Sequence, residues 1–311
     1  MLKVNCRSIM YILFTLILFS CNSETELITP PENTNLNYNS AYEDSVLFTS
    51  TRGPFAPGIY IMHKDGTGMR NLNRQWFTFW ARWSPDKRQI LFVKDASWDK
   101  PETGLYVMDS DGKNERRLTP LGQRAYYGEF APDGSKIAYL EFDENGLGRI
   151  RVMNTDGSES IPITDWYVQL NKLSWSNTSR SIVFTGTSKA GSSNMYFVFP
   201  DGSHTEILLN GFFNGASWSP DGTRILYSKG GNYVMPQLYI YNVSTKSSVQ
   251  LYSMPGMQLN SSWSKDGKEI IFDYKADGYK NNTLYKINSD GTNLKQITDG
   301  LEMDWLPCWY K

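Results

Sequence analysis

The sequence predicts an all-β protein: a six-bladed β-propeller of four-stranded antiparallel blades, its ring closed by the C-terminal strand completing the N-terminal blade. Three observations predict it. An aromatic residue followed by a Ser-Pro-Asp-Gly type of turn recurs at a period in the forties, strand and hairpin signals follow each recurrence in fixed order, and the last strand of the chain supplies what the first unit lacks.

The anchors of the repeat are Trp83-Ser84-Pro85-Asp86, Phe130-Ala131-Pro132-Asp133-Gly134, Trp175-Ser176-Asn177, Trp218-Ser219-Pro220-Asp221-Gly222 and Trp263-Ser264-Lys265-Asp266-Gly267. They lie 47, 45, 43 and 45 residues apart. Proline presets φ, aspartate bonds nearby backbone and glycine accepts positive φ, so each is a tight turn. A β-branched or aromatic strand comes next: Ile90-Leu91-Phe92, Ile137-Ala138-Tyr139, Ile182-Val183-Phe184, Ile225-Leu226-Tyr227 and Ile270-Ile271-Phe272. The third strand carries Leu105-Tyr106, Ile150-Arg151, Met195-Tyr196, Leu238-Tyr239 or Leu284-Tyr285. Most units then turn at Asp-Gly (Asp111-Gly112, Asp156-Gly157, Asp201-Gly202, Asp290-Gly291), a hairpin signal. The fourth strand ends near Leu118, Ile163, Leu208, Leu251 or Ile297.

The first unit starts in its middle, at Val46-Leu47-Phe48, then Ile59-Tyr60, Asp65-Gly66 and Leu72; it lacks a first strand and its tryptophan. The missing piece stands at the other end of the chain, as Leu306-Pro307-Cys308-Trp309. Pairing the two ends closes the ring and removes exposed sheet edges.

This Trp-Ser-Pro-Asp-Gly unit, with its downstream Leu-Tyr pair and Asp-Gly turn, resembles the repeats of TolB-like propellers. Similar units occur in the propeller domains of prolyl oligopeptidases and in oligogalacturonate lyases. The resemblance covers residues 42–311 and implies the fold; it leaves the activity open, because propellers host many. The lyases use a histidine-rich metal centre, whereas this chain has two histidines, His63 and His204, in separate units.

Residues 1–20 read as a signal peptide, with Lys3 and Arg7 ahead of an apolar run from Ile9 to Phe19 that is too short to span a bilayer. The run ends in Leu18-Phe19-Ser20-Cys21, which resembles the lipobox of bacterial lipoproteins and implies diacylation of Cys21, a lipid anchor to the membrane. Residues 21–41 are polar, contain Pro30-Pro31 and read as a flexible tether. The segment Cys21-Asn22-Ser23-Glu24-Thr25-Glu26 resembles acidic surface-export signals of Bacteroidetes lipoproteins, which implies the outer membrane, facing the periplasm or the cell surface. Cleavage before Cys21 takes the net charge from −1 to −3, too weak and mixed for nucleic acid. It leaves Cys308 without a disulfide partner.

Function is expected in the loops that lead from one unit to the next, which lie around the channel mouth. They carry Trp76, Trp80, Tyr127, Trp166 and Trp305, interleaved with Arg124, Asn171, Asn214 and Asp304. The rings sit at irregular offsets from their anchors, which favours a ligand face over repeated packing. The residue before the anchor is small in most units (Ser174, Ser217, Ser262, Cys308) but is Arg82 and Glu129 in two. These form either a buried ion pair or a polar pocket. Turns such as Asp109-Ser110-Asp111-Gly112 lack the downstream glutamate of a calcium loop, and no metal or other cofactor is expected. The expected protein is a monomeric, non-enzymatic module binding a protein or glycan of the cell envelope. The alternative is a polysaccharide-active enzyme, a lyase or glycosidase, with Glu129, Glu302 or Asp304 as acid or base.

Overall fold

The turn chemistry of the repeat takes the same form in three blades. Ser84, Ser219 and Ser264 donate from Oγ to Asp86, Asp221 and Asp266 at 2.5–2.7 Å. The same hydroxyls accept the N–H of Gln89, Arg224 and Glu269 at 2.9 Å, and each aspartate accepts the N–H two residues on. Serine and aspartate therefore close the turn with side-chain bonds that ordinary loop residues cannot make.

The computed structural model describes residues 42, 44–53, 57–73, 77–95, 103–178, 180–231 and 234–309; the signal peptide, Cys21 and the tether lie outside them. The described strands form six four-stranded antiparallel sheets. Blade one holds β1 (Ser45–Ser50), β2 (Gly58–His63) and β3 (Arg70–Asn71). Blade two holds β4 (Thr78–Trp83), β5 (Gln89–Lys94), β6 (Gly104–Asp109) and β7 (Arg116–Arg117). Blade three holds β8 (Arg124–Phe130), β9 (Lys136–Phe142), β10 (Gly148–Asn154) and β11 (Ile161–Pro162). Blade four holds β12 (Gln169–Trp175), β13 (Ile182–Thr187), β14 (Ser193–Val198) and β15 (Thr205–Asn210). Blade five holds β16 (Phe213–Trp218), β17 (Arg224–Gly231), β18 (Val234–Asn242) and β19 (Ser247–Gln250). Blade six holds β20 (Met257–Trp263), β21 (Glu269–Lys275), β22 (Thr283–Asn288) and β23 (Lys295–Gln296).

The last strand, β24 (Asp304–Trp309), pairs antiparallel with β1, Trp309 opposite Val46 and Cys308 opposite Leu47. It completes blade one as expected. The first strands of the six blades then touch in a closed cycle, β24–β4–β8–β12–β16–β20 and back to β24. Cys308 is buried as a free thiol.

Blade joins repeat as faithfully as the turns. Gly112 has φ +89°, and a Cβ there would lie 2.1 Å from the Leu72 carbonyl oxygen of the preceding blade. Gly66 stands in the same relation to Ile297 across the ring closure, at 2.6 Å. The Asp-Gly turn thus needs glycine for its backbone angle and for close approach to the neighbouring blade. The small residue before the anchor has its own task. Ser174 and Ser262 accept the backbone N–H of the next blade's anchor, Trp218 and Trp309, at 3.3 and 3.0 Å. In return, Trp175 and Trp263 donate their indole N–H to the carbonyls of Glu129 and Ser217. Serine satisfies a strand-edge donor that no further strand can reach.

Candidate functional site

The inner strands begin earlier than turn signals alone would place them, and this moves several candidate residues. Trp80, Tyr127, Asn171, Asn214, Asp304 and Trp305 were expected in loops; all lie within inner strands. Each inner strand carries a bulge. At the third residue before the anchor, Trp80, Tyr127, Gly215, Asn260 and Leu306 adopt positive φ, between +29° and +70°. A bulge re-aims the side chain it carries, and here it fills the centre of the ring. Trp80 is 2% exposed and meets Tyr127 edge-on, ring centroids 4.3 Å apart. Lys172, which holds the same position in blade four, donates 2.6 Å to the Ser261 carbonyl of blade six and lies 5.9 Å over the Trp80 ring of blade two.

Trp80 is therefore a core ring and not part of an accessible ligand face. Arg82, 5% exposed, is likewise buried away from any ligand face: it donates to the Ala81 carbonyl at 2.8 Å and lies over the Trp80 ring at 4.0 Å. A cation–π contact within its own blade thus engages the Arg82 guanidinium. Glu129 is half-buried and accepts from Ser174 Oγ at 3.4 Å. Tyr127 and Trp305 pack onto the cluster that holds Trp80, Tyr126 and Leu306. Trp76 lies outside the described residues.

Asp304 is sealed. Its side chain is fully buried, takes Nε and Nη2 of Arg52 at 3.2 and 2.7 Å, and accepts from Ser50 Oγ at 2.6 Å. Arg52 extends the same guanidinium to Asp299. Those bonds, Asp299 first, raise the arginine's pKa beyond its ordinary range, so it stays charged despite partial burial. Asp304 is a structural carboxylate that ties β24 to the end of β1, beyond the reach of a substrate.

Two openings among the described residues take in the candidates that the core has not absorbed. The smaller, about 160 Å³, lies between blades four and five and brings Asn171 and Asn214 together with Gln169 and Phe212. Asn171 is already engaged, donating to the Phe213 carbonyl at 3.3 Å. The larger, about 760 Å³, lies along blade three against blade two. It unites Arg124 and Trp166, the two remaining expected residues, with Gln123, Glu141, Arg149 and Arg151. The β9–β10 register places Arg149 opposite Glu141 and Arg151 opposite Tyr139, so all four share one face of the sheet. Glu141 accepts from Arg149 Nε, from Arg151 Nη1 at 3.3 Å and from Gln123 Nε2 at 2.6 Å. Burial acts to raise its pKa, but the bonds from Arg149 and Gln123 outweigh it and hold the carboxyl below its usual value. Arg149 lies 4.3 Å over the Trp166 ring.

Residues 73–234, more than half of the chain, match the family of the TolB beta propeller domain. The chain belongs to that family. An uncharacterized protein of Agrobacterium fabrum is 26% identical over 188 residues, covering 54% of this chain and 60% of its own length. A TolB homolog of Chlorobium luteolum is 27% identical over 160 residues, 50% of this chain and 34% of its own length. The chain thus spans less than two thirds of either curated relative. The crystal structure of TolB from Acinetobacter baumannii superposes with a TM-score of 0.71 at 18% identity, covering 86% of this chain and 67% of that one.

Among the six blades of the chain, blade three stands apart. In the other five blades the third strand carries a tyrosine at the position of Arg151: Tyr60, Tyr106, Tyr196, Tyr239 and Tyr285. Each pairs with a ring of the second strand, Phe48, Phe92, Phe184, Tyr227 and Phe272, at centroid distances of 5.0–6.2 Å. In blade three the second-strand ring is Tyr139, whose hydroxyl bonds Ser160 Oγ at 2.8 Å, and Arg151 reaches the same serine. Gln123, Glu141, Arg149 and Arg151 were absent from the expected site. The break in the Leu-Tyr pattern at Ile150-Arg151 was the signal that could have found them.

Proposed function

We propose that this TolB-family propeller is a non-enzymatic binding module of the cell envelope. It is held to the outer membrane through lipid on Cys21 and takes a protein or glycan partner into the groove of blade three. One observation carries the reading. Five blades fill the space beside their third strand with a pair of rings in contact, while blade three replaces the tyrosine with Arg151 and borders a groove of about 760 Å³. That size suits a bound ligand. The groove combines an aromatic plane at Trp166 with a fixed array of guanidinium and carboxylate groups, the composition of a recognition surface.

The carboxylates considered for acid–base chemistry support the non-catalytic reading. Asp304 is enclosed by Arg52 and Ser50, Glu302 accepts from Thr51 Oγ1 at 2.9 Å, and Glu129 accepts from Ser174 Oγ at 3.4 Å; Glu141, the carboxylate the groove itself holds, is kept ionised between two arginines, a poor general acid.

Two experiments test the proposal. Substituting Trp166→Ala in the full chain is expected to weaken capture of the envelope partner about tenfold; undiminished capture would remove the groove from the function. Substituting Cys21→Ser is expected to move the protein from the membrane pellet to the soluble fraction, measured by fractionation and immunoblot. A variant that stays in the pellet after a carbonate wash would argue against the lipid anchor.

A further inference from the structure

Resting on the reading of blade three as the binding site, we propose that the groove takes an uncharged pyranose unit of a glycan, with its C–H face on Trp166 and its hydroxyls toward Gln123 and Arg124. Charge argues for a neutral ligand. The groove contains Arg124, Arg149 and Arg151, balanced by Glu141, Asp143 and Glu144. Arg149 and Arg151 both already bond Glu141. An acidic sugar would bring its carboxylate up to Glu141 and find no free pair of cations to receive it.

Hydrogen-bonding capacity argues for hydroxyls. Gln123 commits its amide nitrogen to Glu141, while its Oε1 is buried without a hydrogen-bond partner among the described residues. Next to it in sequence, Arg124 donates from Nη1 to the Asp143 carbonyl at 3.1 Å, and its Nε is likewise buried without a partner among those residues. Both residues line the groove, and an unpaired acceptor and an unpaired donor are each costly to the protein by themselves. A carboxylate or phosphate could answer only the arginine, and an ammonium only the glutamine oxygen. A hydroxyl donates and accepts, and so can answer either. The indole of Trp166, with Arg149 on the ring, offers the flat apolar surface that a pyranose C–H face requires. A peptide strand would need a row of open backbone groups, and the strand at this rim, β11, is two residues long.

The test uses the full chain in detergent, with calorimetric titration of neutral hexopyranose oligosaccharides and of uronic-acid oligosaccharides of equal length. Arg151→Tyr is the decisive variant. It installs the residue that the other five blades carry, so folding should be preserved while the ring fills the groove. Neutral oligosaccharides are expected to bind wild type, uronates at least about tenfold more weakly, and Arg151→Tyr neither. Circular dichroism and thermal unfolding should show the variant folded. Uronates that bind as tightly as neutral sugars would overturn the uncharged ligand. Neutral sugars that fail to bind, while envelope capture still depends on residue 151, would overturn the glycan but leave the groove as the site. Capture indifferent to Arg151→Tyr would overturn both.

Discussion

Replacing Arg52 with alanine is expected to lower the unfolding free energy by about 3–5 kcal/mol, the cost of leaving a buried carboxylate without its partner. Asp304 has no exposed side-chain surface, and Arg52 bonds both of its oxygens. Asp304 opens β24, the strand that closes the ring, so an unpaired charge there acts on the one joint that covalent sequence does not supply. Ser50 would remain as a single donor. The exposed arm of the cluster should matter far less: Asp299 is half-exposed, and Asp299→Ala is expected to cost under about 1 kcal/mol. Urea unfolding followed by tryptophan fluorescence measures both. Adding Asp304→Asn to Arg52→Ala should recover part of the loss, because it removes the orphaned charge. A loss below about 1 kcal/mol for Arg52→Ala would show that the closure does not depend on this pair.

The second expected result concerns acid. Asp273 in β21 is fully buried, and its Oδ2 accepts from Asn260 Nδ2 at 2.8 Å and from the Leu306 N–H of β24 at 3.3 Å. Burial pushes its pKa up to about 6, from the ordinary 3.8. A carboxyl whose pKa is raised by folding binds its proton more tightly in the native state. Its contribution is therefore fully present below about pH 4 and is lost as pH rises through about 6, a span worth about 3 kcal/mol. Asp273→Asn keeps a carbonyl oxygen for Asn260 and Leu306 and carries no charge at any pH. The variant should match wild type near pH 4 and exceed it by up to about 3 kcal/mol at pH 7.5. Reading the difference between the two proteins cancels the titration of all other carboxylates. Unfolding curves that run parallel from pH 4 to 7.5 would refute the assignment.

The repeat was legible because its chemistry is local. Ser84, Ser219 and Ser264 close their turns within a few residues, and Gly112 needs positive φ whatever surrounds it. Even the closure of blade one by Trp309 could be inferred, since the first unit lacked a strand that the last residues possessed. The site was less legible. Trp80 and Tyr127 read as loop aromatics because the bulge beside them breaks the alternation by which a strand is recognised. Their irregular offsets looked like surface variation, whereas in the centre of the ring each blade contributes a different side chain to one shared space. Arg82 and Glu129 read as a pair or a pocket because both replace a small residue before the anchor; a cation–π contact engages the first and a serine hydroxyl the second.

The sequence by itself determined the order of the strands, the turns, the number of blades and the place where the ring closes. Each depends on residues near one another in the chain or on a period that can be counted. Only the tertiary structure decided which residues are open to a ligand. Trp80 and Asp304 are closed off by groups from distant parts of the chain, such as Tyr127, Lys172 and Arg52. Arg124, at the start of β8, and Trp166, after β11, line one groove with Arg149 and Arg151, which the β9–β10 register sets on one face, Arg151 where the other five blades place a tyrosine.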